Sequence, residues 1–181
     1  MKLVILDRDG VINHDSDDYI KSVDEWIAID GSIEAIVRLN QAGYNVAVAT
    51  NQSGISRGYF TISTLNAMHQ KMYELVQLAG GHIDGVFFCP HSPSDQCECR
   101  KPEPGLLYEI ADRFTVSLDN VFFIGDSFSD IQAARNANAK PVLVRTGKGE
   151  RTESKLSDST VPVYDNLSAT VRALLNGDLI A

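Results

Sequence analysis

The chain has 181 residues, a formal net charge of −8, and 44% hydrophobic against 22% charged residues. This balance is ordinary for one soluble globular domain with a full core, and the acidic charge argues against a nucleic-acid partner, which needs a basic face. No apolar run approaches the ~20 residues that span a bilayer. The first residues enter a strand-like segment rather than a charged, apolar and small-residue leader, so a cytoplasmic protein without a membrane partner is expected.

Residues 2–6 read as a strand, and LVILDRDG over 3–10 carries two aspartates at its end. In an extended segment side chains alternate, so Asp7 and Asp9 should share one face and Arg8 the other. Paired carboxylates stay ionised only beside positive charge, and a divalent cation is the usual source. A plain strand followed by an Asp-Gly turn would give the same string. Residues 11–30 form a long connection with Asp15, Asp17, Asp18, Tyr19 and Trp26. Residues 31–42 read as an amphipathic helix ending at Gly43, and 44–50 as a strand. The strand delivers Thr50-Asn51-Gln52-Ser53-Gly54, whose hydroxyl, amide and backbone N–H donors suit phosphoryl oxygens or, equally, a capped turn.

Residues 61–79 read as a helix opened by Thr61 or Ser63, and 85–89 as a strand. Cys89, His91, Cys97 and Cys99 then form C-x-H-x5-C-x-C. Three clustered cysteines argue against a disulfide framework. With the histidine they match a closed tetrahedral Zn²⁺ site, which is structural because no coordination position stays open. Its task would be to fix the loop carrying Arg100 and Lys101. A redox role is weaker, since C-x-x-C is absent. Residues 104–114 read as a helix with Pro in its first turn, and 121–125 as a strand leading into Asp126. Residues 129–138 read as a helix with Ser129 as cap and Asp130 in its first turn. Then follow a strand at 141–145, a polar surface loop at 146–160, a short strand at 161–164 and a closing helix at 167–175. His14, His69 and His82 read as surface or packing residues, with only His14 near the strand-end aspartates.

The strands are continuous apolar runs, which fit a parallel sheet buried on both faces. Strand–helix alternation predicts an α/β fold, a doubly wound (Rossmann-like) sheet with helices on both faces. Ligands then bind at the carboxyl ends of the strands. Carboxylates, hydroxyl and amide donors, a lysine and a further carboxylate occur in that order at strand ends or loops. Together they can form a phosphoryl-transfer site with an aspartate nucleophile.

The series DRDG, TNQSG, Lys101 in RKP, and GDSFSD resembles the haloacid dehalogenase superfamily of phosphatases, over essentially the whole chain. The resemblance implies that Asp7 attacks phosphorus to form an aspartyl-phosphate. Asp9 would protonate the leaving oxygen and then activate water. Thr50 and Lys101 would hold the phosphoryl oxygens, and Asp7, the Asp9 main-chain carbonyl and Asp126 would bind Mg²⁺. Ser127 stands where many members carry a second acid, and Asp130 is expected to contribute through water.

The Cys/His loop, with TNQSGISRGYF and CRKP, resembles the heptose-bisphosphate phosphatase branch. This implies a monomeric single domain over 1–181 without a large cap, acting on a small phosphosugar in the making of nucleotide-activated heptose for lipopolysaccharide core. Asp15 and Tyr19 would border the sugar. Arg100 would meet the second phosphate, and Asn51, Gln52 and Ser53 would complete the pocket. Two other readings stand beside it. A histidinol-phosphate phosphatase would use Asp15, Asp17 and Asp18 against a cationic substrate, although Arg100 suits a second phosphate better. A non-catalytic phospho-acceptor module would have no use for an acid at Asp9.

Overall fold

The computed structural model describes residues 1–179. Six strands, β1 (Lys2–Leu6), β2 (Tyr44–Asn51), β3 (Gly85–Cys89), β4 (Phe122–Gly125), β5 (Lys140–Val144) and β6 (Val163–Tyr164), alternate with helices. The helices are α1 (Ser32–Gln41), α2 (Ile62–Leu78), α3 (Gly105–Phe114), α4 (Phe128–Asn136), α5 (Gly149–Glu153) and α6 (Leu167–Asn176). All neighbouring strands pair parallel, in the order β3-β2-β1-β4-β5-β6. The order reverses between β1 and β4. Crossovers on the two sides of that point diverge and leave a crevice at the carboxyl ends of the strands.

Alternation along the apolar strands feeds two cores. Val4, Leu6, Val46, Val48 and Ile124 pack with Ile36, Leu39, Leu65, Met68 and Val171 on one face. Leu3, Ile5, Ala47, Ala49 and Phe123 pack with Leu106, Leu107, Ile110, Ala133 and Ala134 on the other. The expected doubly wound sheet is therefore present, with both faces covered. The long 11–30 connection is not loose. Its Trp26 is fully buried, and Lys71 of α2 donates to the Val23 and Trp26 carbonyls at 2.8 and 2.7 Å.

Three local expectations change. Ser127, not Ser129, caps α4, in a capping box with Asp130. This places Asp130 where it reaches back to the strand end. Residues 146–160 are not simply a loop, because they contain α5. That helix is five residues long and turns only Gly149 and Thr152 inward, too few to print a 3.6-residue pattern. Third, β1 ends at Leu6 as expected, but the alternation expected over Asp7 to Asp9 does not continue it. The Asp7 N–H still donates to the Ile124 carbonyl at 2.9 Å, but the Arg8 carbonyl then accepts from the Val11, Ile12 and Asn13 N–H groups. The chain turns at Arg8, so strict strand alternation does not govern it.

Candidate active site

At the reversal point lies a cavity of about 350 Å³. Asp7, Asp9, Asp15, Tyr19, Thr50, Asn51, Gln52, Ser53, Arg100, Lys101 and Asp126 all line it. Every residue expected at the phosphoryl site from the sequence is therefore brought to one place. Ser127 and Lys148 join them.

The floor is a charge cluster. Carboxylate oxygens of Asp7, Asp126 and Asp130 lie within 4.8 Å of one another, and all three residues are buried. Lys101 Nζ sits among them, 2.9 Å from Asp7 Oδ1 and 2.7 Å from Asp130 Oδ1. It also donates to the Ala49 carbonyl at 2.8 Å. Burial would discharge the lysine, but the charges of Asp130 and Asp7 outweigh this and hold its pKa above the ordinary value. Three acids face one ammonium. Burial, with the neighbouring carboxylates, therefore pushes the Asp7 and Asp126 carboxyls well above the usual range. An all-oxygen set short of positive charge is the donor chemistry of a hard divalent cation such as Mg²⁺.

Local sequence explains how the acids converge. Gly10 and Gly147 both have positive φ, and a Cβ on either would collide with Asp126 Oδ2. The same oxygen accepts the Lys148 N–H at 2.7 Å. Ser127, the non-acidic residue of the GDS motif, donates its N–H and hydroxyl to Asp130 Oδ2 at 3.0 and 2.6 Å. Asp130 is thus aimed at Lys101 and the other acids directly.

Asp9 faces a different set of partners. Arg8 Nε lies 3.1 Å from Asp9 Oδ1, and Arg8 Nη2 lies 2.8 and 2.9 Å from Oδ1 and Oδ2. Asn13 Nδ2 donates to Oδ1 at 2.8 Å and Gln52 Nε2 to Oδ2 at 2.9 Å. As expected, Arg8 does not line the cavity with Asp7 and Asp9, but the turn at its carbonyl lets the guanidinium reach its neighbour's carboxylate. Burial alone would raise the Asp9 carboxyl, but the Arg8 charge and the Asn13 and Gln52 hydrogen bonds overcome it and hold the pKa low. The positive charge that the aspartate pair requires is therefore partly built in, Lys101 serving Asp7 and Arg8 serving Asp9. His69, expected at the surface or in simple packing, is buried on α2 with Nε2 3.2 Å from Arg8 Nη1.

The β2 end divides its work. Gln52 Nε2 bridges Thr50 Oγ1 and Asp9 Oδ2, each at 2.9 Å. Asn51 clasps the Lys101 main chain, accepting its N–H at 3.1 Å and donating to its carbonyl at 3.0 Å. At the rim, Lys148 Nζ pairs with Asp15 at 3.1 Å and Arg151 with Asp17 at 2.8 Å. Tyr19 adopts φ 68° and stands edge-on to Tyr59, with ring centroids 5.0 Å apart. Lys148 is a site residue that sequence reasoning missed. Its signal was the string TGKG at the end of β5, a glycine-flanked lysine at a strand end beside the reversal point.

Behind Arg100 and Lys101, the Cys89, His91, Cys97 and Cys99 ligand atoms lie within 4.8 Å of one another. The Sγ–Sγ separations are 3.5 Å for Cys89–Cys97, 3.6 Å for Cys97–Cys99 and 3.1 Å for Cys89–Cys99. His91 Nδ1 lies 3.5 and 3.3 Å from Cys89 and Cys99. A tetrahedral zinc with Zn–S near 2.3 Å has S–S edges of about 3.8 Å, so these four atoms fit such an ion after a slight expansion. All three cysteines are free thiols. Burial opposes ionisation of Cys97, but the Arg100 N–H and the neighbouring thiols bring it down to about 7, which favours a thiolate ligand.

Comparison with known proteins identifies the family. Residues 98–170 match the family described as HAD-hyrolase-like. The chain is 53% identical to the D-glycero-beta-D-manno-heptose-1,7-bisphosphate 7-phosphatase of Pseudomonas putida, over 97% of this chain and all of that one. It is 55% identical to the Pseudomonas aeruginosa enzyme of the same name, over 96% of this chain and 97% of the relative. It superposes with a TM-score of 0.95, at 50% identity, on the D,D-heptose 1,7-bisphosphate phosphatase of B. bronchiseptica complexed with magnesium and phosphate, covering 97% of this chain and 99% of that one. With this level of identity over nearly the full length of each relative, the chain belongs to the D-glycero-beta-D-manno-heptose-1,7-bisphosphate 7-phosphatase family of HAD-like hydrolases.

Proposed function

We propose that this protein is a Mg²⁺-dependent phosphatase that removes the 7-phosphate from D-glycero-beta-D-manno-heptose 1,7-bisphosphate through an aspartyl-phosphate. Family membership supports the substrate, and the names of the relatives favour the beta anomer. The observation that carries the chemistry is the floor cluster: Lys101 bridges Asp7 and Asp130 beside Asp126, with Asp9 in the same cavity.

Asp7 is the nucleophile. Its Oδ1 is engaged by Lys101 and by the Arg8 N–H at 2.7 Å, which leaves Oδ2 to attack phosphorus. Thr50 Oγ1 and Lys101 Nζ hold the transferring oxygens. Asp9, once it has taken up a proton against the pull of Arg8, gives it to the leaving sugar oxygen and, in the second half-reaction, takes one from the attacking water. Asp7, the Asp9 carbonyl and Asp126 would hold Mg²⁺, which neutralises charge between the nucleophile and the incoming phosphate. Cys89, His91, Cys97 and Cys99 would hold a structural Zn²⁺ that stiffens the approach to Arg100 and Lys101. Arg100 meets the second phosphate. Asp15, Tyr19, Asn51, Gln52 and Ser53 shape the sugar pocket. The enzyme would work as a monomeric single domain in the cytoplasm, supplying heptose for lipopolysaccharide core.

Asp15 and Asp17 are already paired with Lys148 and Arg151. A cationic histidinol phosphate would have to displace those partners, whereas a second phosphate would meet them as cations. The decisive experiment compares phosphate release from both heptose bisphosphate anomers and from histidinol phosphate, each with Mg²⁺ and with EDTA. The beta heptose bisphosphate should have the highest kcat/KM, and EDTA should abolish turnover. A preference for histidinol phosphate would overturn the substrate. A stable acyl-phosphate without turnover would make the protein a phospho-acceptor module instead.

A further inference from the structure

Arg8 is the residue of the DRDG motif whose side chain touches neither the phosphoryl group nor the metal in the chemistry above. Its side chain is completely buried. A buried guanidinium is costly unless its charge is paired and its N–H groups find acceptors. Here the pairing is with the neighbouring residue. Nε and Nη2 grip the Asp9 carboxylate side-on, while Nη1 meets His69 Nε2 at 3.2 Å from across the sequence. His69 is itself buried on α2 and packs near the Phe88 ring, with centroids 6.3 Å apart. A neutral imidazole with its proton on Nδ1 accepts from Arg8 at Nε2. With Asn13 on Oδ1 and Gln52 on Oδ2, the Asp9 carboxylate is held in one plane. Oδ1 receives three donors and Oδ2 two, which fills both oxygens, so a proton must displace a donor and Oδ2 has fewer to displace.

We infer that Arg8, braced by His69, is a positioning residue that locks the Asp9 carboxylate plane and keeps Oδ2 aimed at the water that hydrolyses the aspartyl-phosphate. This deepens the proposed function and rests on the reading of Asp9 as its base. In that step the water oxygen bonds to phosphorus and the Asp7 oxygen–phosphorus bond breaks. The electron pair returns to the Asp7 carboxylate, the water proton passes to Asp9 Oδ2, and inorganic phosphate leaves. Orientation of this kind acts on the rate of the step and not on substrate binding.

The test uses p-nitrophenyl phosphate with Mg²⁺, because an aryl leaving group needs little acid help. Attention then falls on hydrolysis of the phosphoenzyme. Arg8→Lys keeps the charge and loses the planar fork; His69→Leu removes the brace, and His69→Gln restores an acceptor. Arg8→Lys and His69→Leu should lower kcat about 10- to 100-fold and leave kcat/KM within about threefold. Both should accumulate a hydroxylamine-sensitive phosphoenzyme, and His69→Gln should recover most of the rate. A merely structural role would lower kcat and kcat/KM together without accumulation, and that result overturns the inference. If Arg8→Lys does not fold, the His69 pair decides alone. Asp9→Asn separates the two levels. If it accumulates phosphoenzyme and the Arg8 and His69 variants do not, the positioning role falls and the base remains. If it accumulates none, the reading of Asp9 fails and the inference falls with it.

Discussion

The floor and the rim of the cavity are both built from ion pairs, but they obey different physics. On the floor, Lys101 is 2% exposed and lies between Asp7 and Asp130. At the rim, Arg151 and Asp17 are 55% and 75% exposed. Charges taken out of water are costly to strand, so removing one floor partner leaves others unpaired in a poor solvent. Solvent already stabilises the rim charges and screens their attraction. The floor therefore has one tolerable arrangement, whereas the rim can exchange its internal partners for those of a substrate. Lys148 belongs to both. Its main-chain N–H fixes Asp126, while its side chain pairs with Asp15 at the mouth.

The sharpest way to break this contrast is Asp7→Asn. Turnover should vanish while the melting temperature stays at or above that of the parent, since a crowded carboxylate has been neutralised. Substantial residual phosphate release would remove Asp7 as nucleophile. Next comes Lys101→Met, which strands three acids. It should abolish activity and cost about 3–5 kcal/mol in denaturant unfolding without metal, with part of the loss returned by Mg²⁺. A variant as stable as the parent would mean that the floor does not depend on its lysine. Cys97→Ser should lose zinc and melt earlier, yet keep more of its activity than of its stability. A zinc-replete protein with normal melting would refute the metal assignment.

A smaller effect concerns acid. Burial and the Arg8 charge depress the His69 pKa from 6.5 to about 3. Between those values the unfolded chain binds a proton that the folded chain refuses, so stability falls as pH drops from 6.5 toward 3. His69→Gln should flatten this part of the pH–stability profile; an unchanged slope would show that His69 is not held neutral. The smallest effects belong to the rim. Arg151→Ala should leave melting unchanged. Lys148→Ala should raise KM severalfold with little change in kcat, because its main-chain bond to Asp126 survives. A collapse in kcat would place that side chain on the floor after all.

Much of this was legible in the chain because the fold writes it locally. Asp7, Thr50 and Asp126 follow apolar runs that can only be buried strands, so their convergence follows from topology. The four zinc-type ligands are close in sequence and chemically distinctive. Other parts left no local mark. Arg8 and His69 meet across sixty-one positions, and nothing in either neighbourhood announces the other. Ser127 reads as the loss of an acid, yet its hydroxyl aims Asp130. Residues 146–160 read as solvent-facing because α5 buries so little, and their polarity concealed a lysine turned toward the acids.

The clasp of Asn51 on Lys101 has a consequence for how this enzyme could change over time. The amide fastens the lysine backbone directly to β2, so the catalytic ammonium is moored to the sheet rather than suspended from the cysteine loop. That loop could be shortened, rebuilt or deprived of its ion in a descendant while the ammonium kept its berth.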